Sequence, residues 1–176
     1  MEAFSPSSDR KEAYSGNLRK AFPGVDAEGV ALGSMMFFFA NSILNSMGAH
    51  LGRYGLTQAR FGILLMLYLE PDTEWTPAEL ADAGNMSRAT MTGLLDRLEK
   101  QNYIVRAPRA GDRRSIAIHL SDEGRAFIQE KFPDHFDRLA AAMRELTPQE
   151  LKAFQKVMPR VLQCFAVLIA DLETEK

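Results

Sequence analysis

The chain has 176 residues, 46 % of them hydrophobic, and a formal charge of −2, enough for one cored domain or a small module with appended helices and too little for two large independent domains. A single cysteine, Cys164, and three widely separated histidines, His50, His119 and His135, exclude a disulfide framework and a thiolate metal cage. A reducing, cytoplasmic compartment and no metal or cofactor are therefore expected. The overall acidity argues against a uniformly basic nucleic-acid binder, yet residues 85–114 hold seven basic side chains against three acidic ones, a local +4 in a chain whose remainder carries −6.

Residues 1–29 mix Ser, Pro and both charge signs without the basic start and apolar run of a signal peptide, and are expected to form a flexible arm. The most apolar stretch, 30–51, is interrupted by Gly33, Asn41, Asn45, Ser46 and His50, which predicts a buried helix rather than a membrane span, and no membrane partner. Helices are expected over about 30–53 and 57–69, separated by Tyr54-Gly55-Leu56, with Thr57 capping the second. Thr76-Pro77-Ala78-Glu79 and Thr147-Pro148-Gln149-Glu150 each combine a Thr cap, Pro at the first helical position and Glu three residues after the cap. They mark the starts of a short helix over 77–83 and of a last helix from 148 to about 172 with Pro159 inside it.

Between these lies a segment capped by Ser87 in which Met91, Leu94, Leu95 and Leu98 form one inward stripe, ending near Gln101. Two runs of strand formers, 103–105 and 116–120, flank the turn-type cluster Pro108-Arg109-Ala110-Gly111-Asp112 and predict a β-hairpin with a basic tip. Ser121-Asp122-Glu123 then opens a helix expected to bend or break at Pro133.

A short helix, a tight turn, an amphipathic helix and a basic hairpin form the order of a winged helix-turn-helix, whose second helix enters the DNA major groove. The fold class is thus mostly α with a small β-hairpin wing: a winged helix-turn-helix domain over 56–124, with helical dimerisation regions over 30–55 and 125–176. With the apolar stripe turned inward, Ala89, Thr92, Gly93 and Asp96 lie opposite it, flanked by Arg88, Thr90 and Arg97. Ser87, Arg88, Thr90, Thr92 and Arg97 are the candidate recognition-helix contacts, because hydroxyls and guanidinium groups at a helix N-terminus reach base edges and phosphates. Arg109, Asp112, Arg113 and Arg114 are the candidate wing contacts, the aspartate holding one guanidinium while another enters the minor groove.

These motifs, Glu79-Leu80-Ala81, the run from Ser87 to Glu99, Gly111-Asp112-Arg113-Arg114-Ser115 and Leu120-Ser121-Asp122-Glu123-Gly124, resemble those of MarR-family transcriptional regulators. The resemblance covers 56–124 by motif and 30–172 by helix layout; the first 29 residues exceed the family's usual lead-in. It implies a homodimer with interlocking terminal helices that binds double-stranded DNA at a pseudo-palindrome, and repression relieved by a small, often aromatic or phenolic, ligand. The apolar ends support the dimer, since Phe37, Phe38, Phe39, Val161, Leu162, Phe165, Val167, Leu168 and Ile169 exceed what one small module needs to bury. A ligand pocket is placed near Asn41, Asn45, His50, Arg53, Arg60 and Trp75, with His50 and Arg60 suited to an anionic or phenolic group.

Three other readings compete. An enzyme lacks support, since no phosphate-cradling glycine loop, nucleophile elbow or zinc-type histidine pair is present. A winged protein-interaction module without DNA binding would be expected to lose the basic wing. A redox-responsive regulator would act through Cys164, which its apolar helix instead marks as a buried structural cysteine.

Overall fold

The computed structural model describes residues 8–173, with side chains described over 12–166 apart from Arg113. Seven helices and one hairpin follow in the order α1 (Ser8–Ala21), α2 (Ala27–Gly52), α3 (Gln58–Leu69), α4 (Pro77–Ala83), α5 (Arg88–Lys100), β1 (Ile104–Arg109), β2 (Asp112–Leu120), α6 (Asp122–Arg144) and α7 (Pro148–Glu173). They divide into two compact units, Met1–Ile128 and Gln129–Lys176.

In the first unit the helix starts are made by side chains that satisfy otherwise unbonded amides. Asp26 accepts from the Gly29 amide at 3.1 Å, Thr57 from Arg60 at 3.3 Å and Ser87 from Thr90 at 3.1 Å. Thr76 and Glu79 close a reciprocal capping box on α4. The turn from α4 to α5 places Asn85 in the left-handed region (φ 48°), and Asn102 does the same after α5 (φ 59°), a conformation that short polar side chains tolerate. The core joins Phe61, Ile63, Leu64 and Leu67 of α3, Leu80 and Ala81 of α4, Met91, Leu95 and Leu98 of α5, and Ile104, Ala117 and Ile118 of the hairpin. Leu94, expected to complete the inward stripe, is only half-buried.

The strands run further toward the tip than expected, leaving a two-residue turn, Ala110-Gly111, with Gly111 at φ 79°. Pairing runs from Ile104↔Leu120 to Pro108↔Ile116 and then jumps to Arg109↔Asp112, so residues 113–115 bulge from β2. A third rung comes from outside the hairpin, where the Ile118 amide donates to the Trp75 carbonyl at 2.7 Å.

Two expectations for this unit are corrected. The anticipated flexible arm contains α1, which packs on α2: the Tyr14 and Ser34 hydroxyls meet at 3.4 Å, Arg19 pairs with Glu28 at 2.6 Å, and Ser15, Ala27 and Ala31 are buried. Tertiary support of this kind stabilises a helix whose own sequence shows no strong period. The anticipated buried helix, α2, buries only Ala27, Ala31 and Leu51, while Phe37, Phe38, Phe39, Ile43 and Leu44 are exposed.

The second unit holds the rest of α6 and α7. α6 is not broken at Pro133, which lies inside it; a proline there forfeits one backbone bond, to the carbonyl of Gln129. Pro159 lies inside α7 as expected. Phe132 and His135 are buried, and Phe132 meets Phe136 edge-on at 6.2 Å. Phe136, Leu139, Met143, Phe154, Val157 and Leu162 are exposed. Cys164, expected to be buried, is exposed too. Val167, Leu168 and Ile169 lie outside the residues whose side chains are described.

Candidate nucleic-acid interface

Ser87 has two local duties: it caps α5, and its hydroxyl meets that of Thr90 at 2.8 Å. Thr92 donates its hydroxyl proton to the Arg88 carbonyl at 2.9 Å, which leaves the oxygen lone pairs and the methyl group to face outward. Arg88 is exposed, and its nearest carboxylate, Asp82, lies 3.9 Å away with both side chains more than 70 % exposed, a contact that solvent screens. Arg97 is exposed in the last turn of α5.

On the wing, Asp112 accepts from the backbone amide of Arg114 at 3.0 Å and so shapes the start of β2. The structure gives this carboxylate a backbone partner where the sequence suggested a guanidinium; Arg113, the other candidate partner, has its side chain outside the described residues. Arg114 is exposed. Arg109 donates to Glu79 at 3.1 Å, and Arg106 is held by Asp96 at 2.7 Å and Glu99 at 3.5 Å. Asp96 therefore braces α5 against β1 instead of lying on the open face. With Arg106 and Arg109 held by carboxylates within 3.5 Å, the other exposed basic side chains described in this segment are Arg88, Arg97, Lys100 and Arg114.

Arg88 and Thr92 of α5, Arg109, Arg114, Ser115 and Ile116 of the hairpin, and residues 76–79 at the start of α4 line one open cavity of about 630 Å³. Four of the candidate residues thus share one concave surface between helix and wing. Glu79 sits in it as an ionised carboxylate: the Thr76 amide and hydroxyl hold its pKa below the ordinary 4.5, burial opposes them, and the hydrogen bond and charge of Arg109 add to the lowering. Sequence reasoning identified Glu79 as a cap and missed its second partner, because a 30-residue separation in the chain carries no local signal.

His50 and Arg60 are placed apart in function. His50 Nε2 lies 3.5 Å from the Tyr54 hydroxyl with the rings edge-on, and Arg60 bonds Gln101 at 3.0 Å, bracing α3 against the end of α5. Neither lines the cavity at the wing, nor the smaller one of about 130 Å³ around Glu70, Thr73, His119 and Arg125. No group of three or more His, Cys, Asp or Glu side chains is placed to hold a metal ion among the described residues.

The family model described as MarR family matches residues 54–115. The chain is 29 % identical over 148 residues to the HTH-type transcriptional repressor YetL of Bacillus subtilis (strain 168), covering 84 % of this chain and 89 % of that one. It is 30 % identical over 124 residues to the HTH-type transcriptional regulator PapX of Escherichia coli, covering 70 % and 76 %. Among solved structures, Sco3205, a MarR family transcriptional regulator from Streptomyces coelicolor in complex with DNA, superimposes with a TM-score of 0.71 at 25 % identity over 79 % of this chain and 88 % of that one. The S. aureus MepR–DNA complex has the same fold, with a TM-score of 0.65 at 19 % identity over 75 % and 96 %. The winged arrangement, the motifs on α4, α5 and the hairpin, and these similarities together make the chain a member of the MarR family of transcriptional regulators.

Proposed function

We propose that the chain is a cytoplasmic, homodimeric, sequence-specific DNA-binding regulator, a repressor of a pseudo-palindromic operator that a small aromatic or phenolic ligand releases. The observation that carries the DNA reading is the shared concave surface of Arg88, Thr92 and Arg114 between α5 and the wing. The N-terminal end of α5 enters the major groove, where Ser87, Arg88, Thr90 and Thr92 face base edges and Arg97 faces phosphate. Arg113 and Arg114 approach the minor groove from the wing. The exposed apolar residues of α2, α6 and α7 support a second copy as their partner, and ligand release rests on family resemblance, with His50 and Arg60 as its candidate residues.

Selection of bound duplexes from a random library, followed by titration of the winning site at two salt concentrations, tests this reading. Enrichment of a two-fold symmetric site with half-sites about one turn apart is expected. Arg88→Ala should alter sequence preference more than the salt slope, Arg114→Ala should weaken binding, and in Arg97→Ala the logarithm of affinity should depend less steeply on the logarithm of salt, by about 0.9 for each phosphate that the variant no longer neutralises. Failure to enrich any site would overturn it.

A further inference from the structure

Glu79 divides its two oxygens between two tasks. Oε2 accepts from the amide and the hydroxyl of Thr76, each at 2.8 Å, and closes the start of α4; Oε1 accepts from Arg109 Nη1 at 3.1 Å. Two residues before Thr76, Glu74 accepts from the Ala110 amide with both oxygens, at 3.0 and 3.2 Å. Between them the Trp75 carbonyl accepts from Ile118 of β2. The short segment 74–79 thus grips the hairpin at its turn, at Arg109 and along β2. The hairpin has closure of its own besides this grip, since β1 and β2 pair from Ile104↔Leu120 to Pro108↔Ile116 and Gly111 supplies a positive φ at the third position of the turn. What the grip fixes is the angle of the hairpin against α4, and through α4 against α5.

A guanidinium meant for phosphate gains nothing from a carboxylate at 3.1 Å, which cancels its field and sets negative charge in the cavity that a DNA strand would face. We propose that Glu74 and Glu79 are wing-positioning residues and that Arg109 is the strut between wing and α4, not a phosphate ligand. The clasp presets the hairpin, so that Arg114 meets DNA with little ordering left to do. This rests on the reading of α5 and the wing as the DNA-binding face, and it reverses the role that the sequence suggested for Arg109.

Two readouts on the full chain test it. Without DNA, the Ala110 amide should exchange slowly for an exposed turn, and about tenfold faster in Glu74→Ala; unchanged exchange would overturn the clasp whether or not the protein binds DNA. With the selected DNA site, Glu79→Gln keeps an oxygen for the capping box and removes the charge that holds Arg109, while Arg109→Gln removes the other half. Each should weaken binding by about three- to tenfold, the double variant should be no weaker than either single one, and the salt slope should stay that of the unaltered protein. Arg97→Ala is the contrast: a flatter slope with unchanged Ala110 exchange. A slope flattened by about 0.9 in Arg109→Gln, the signature of one phosphate left unneutralised, or tighter binding by Glu79→Gln, would show that Arg109 is a phosphate ligand and overturn the proposal. Absence of DNA binding by the unaltered protein would instead remove the underlying reading, with Ala110 exchange still deciding the clasp.

Discussion

Gly124 is where α6 begins against the loop that follows α5. A Cβ there would fall 2.8 Å from the carbonyl carbon of Tyr103 and closer still to its oxygen, and both neighbours are backbone. Ser121 explains the closeness: its amide donates to the Tyr103 carbonyl, its hydroxyl donates to the Asn102 carbonyl, and the same oxygen accepts from the Gly124 amide. The serine and the glycine of the Leu120–Gly124 motif are therefore one device, which the sequence offered only as a point of resemblance. Gly124→Ala is expected to destabilise by about 1–3 kcal/mol, the cost of forcing extra volume into a packed site, and to lower the thermal midpoint by about 2–4 °C for each kcal/mol.

Glu79 and Glu150 make a second prediction at this scale. Thr76 and Arg109 depress the pKa of Glu79, and the Thr147 hydroxyl and amide depress that of Glu150, from 4.5 in each case. A carboxyl group whose folded pKa is depressed adds stability that is present above its unfolded value and is lost as pH falls through the folded one. The stability advantage of the unaltered protein over Glu79→Gln should thus be constant near neutrality and shrink below about pH 4.5, as measured by denaturant unfolding across the acid range. A difference that grew on acidification would contradict the assignment.

The starts of four helices that a side chain makes were legible, while the start of α2, capped by Asp26 ahead of the expected residue 30, was not. Thr57, Thr76, Ser87 and Thr147 each stand where a polar oxygen must meet an unbonded amide, and each begins a helix as read. Elements held by distant partners were not legible. Strand β1 passes through Pro108 and Arg109, residues that read as a turn, because the pairing of Pro108 with Ile116 and the grip of Glu74 and Glu79 on the tip are settled between segments far apart in the chain. Helix α1 likewise depends on its packing against α2. For the hairpin, Asp112→Ala removes the acceptor of the Arg114 amide. That should cost about 0.5–1.5 kcal/mol locally, read as faster exchange of that amide without a comparable change in the core amides of α3.

For the molecule as a whole, the apolar strips count most: Phe37, Phe38, Phe39, Ile43 and Leu44 in the first unit, and Leu139, Phe154, Val157 and Leu162 in the second. Exposed surface of this kind marks an association site, and the excess of apolar residues at both ends was readable from composition alone. Which residues face outward was not, because burial against a second copy leaves the same sequence pattern as burial within one chain. Sedimentation of the purified protein should give about twice 19.7 kDa, and Phe38→Asp with Leu44→Asp should return it to a single chain. A fully monomeric unaltered protein at micromolar concentration would contradict this. Because association stabilises by mass action, the melting temperature should also rise with protein concentration and lose that dependence in the double variant.

Helix α2 also governs how the protein can be handled. By length and composition it is apolar enough to cross a membrane, although Asn41, Asn45, Ser46 and His50 interrupt it, and Phe37, Phe38, Phe39, Ile43 and Leu44 are exposed on it. With the proposed pairing of copies, dilution becomes a chemical perturbation: a sample taken below the concentration at which they would pair is expected to adsorb to plastic and to partition into detergent micelles or lipid vesicles. Activity that falls on dilution and recovers with fresh protein, rather than with fresh DNA, would be the laboratory sign of that exposed strip.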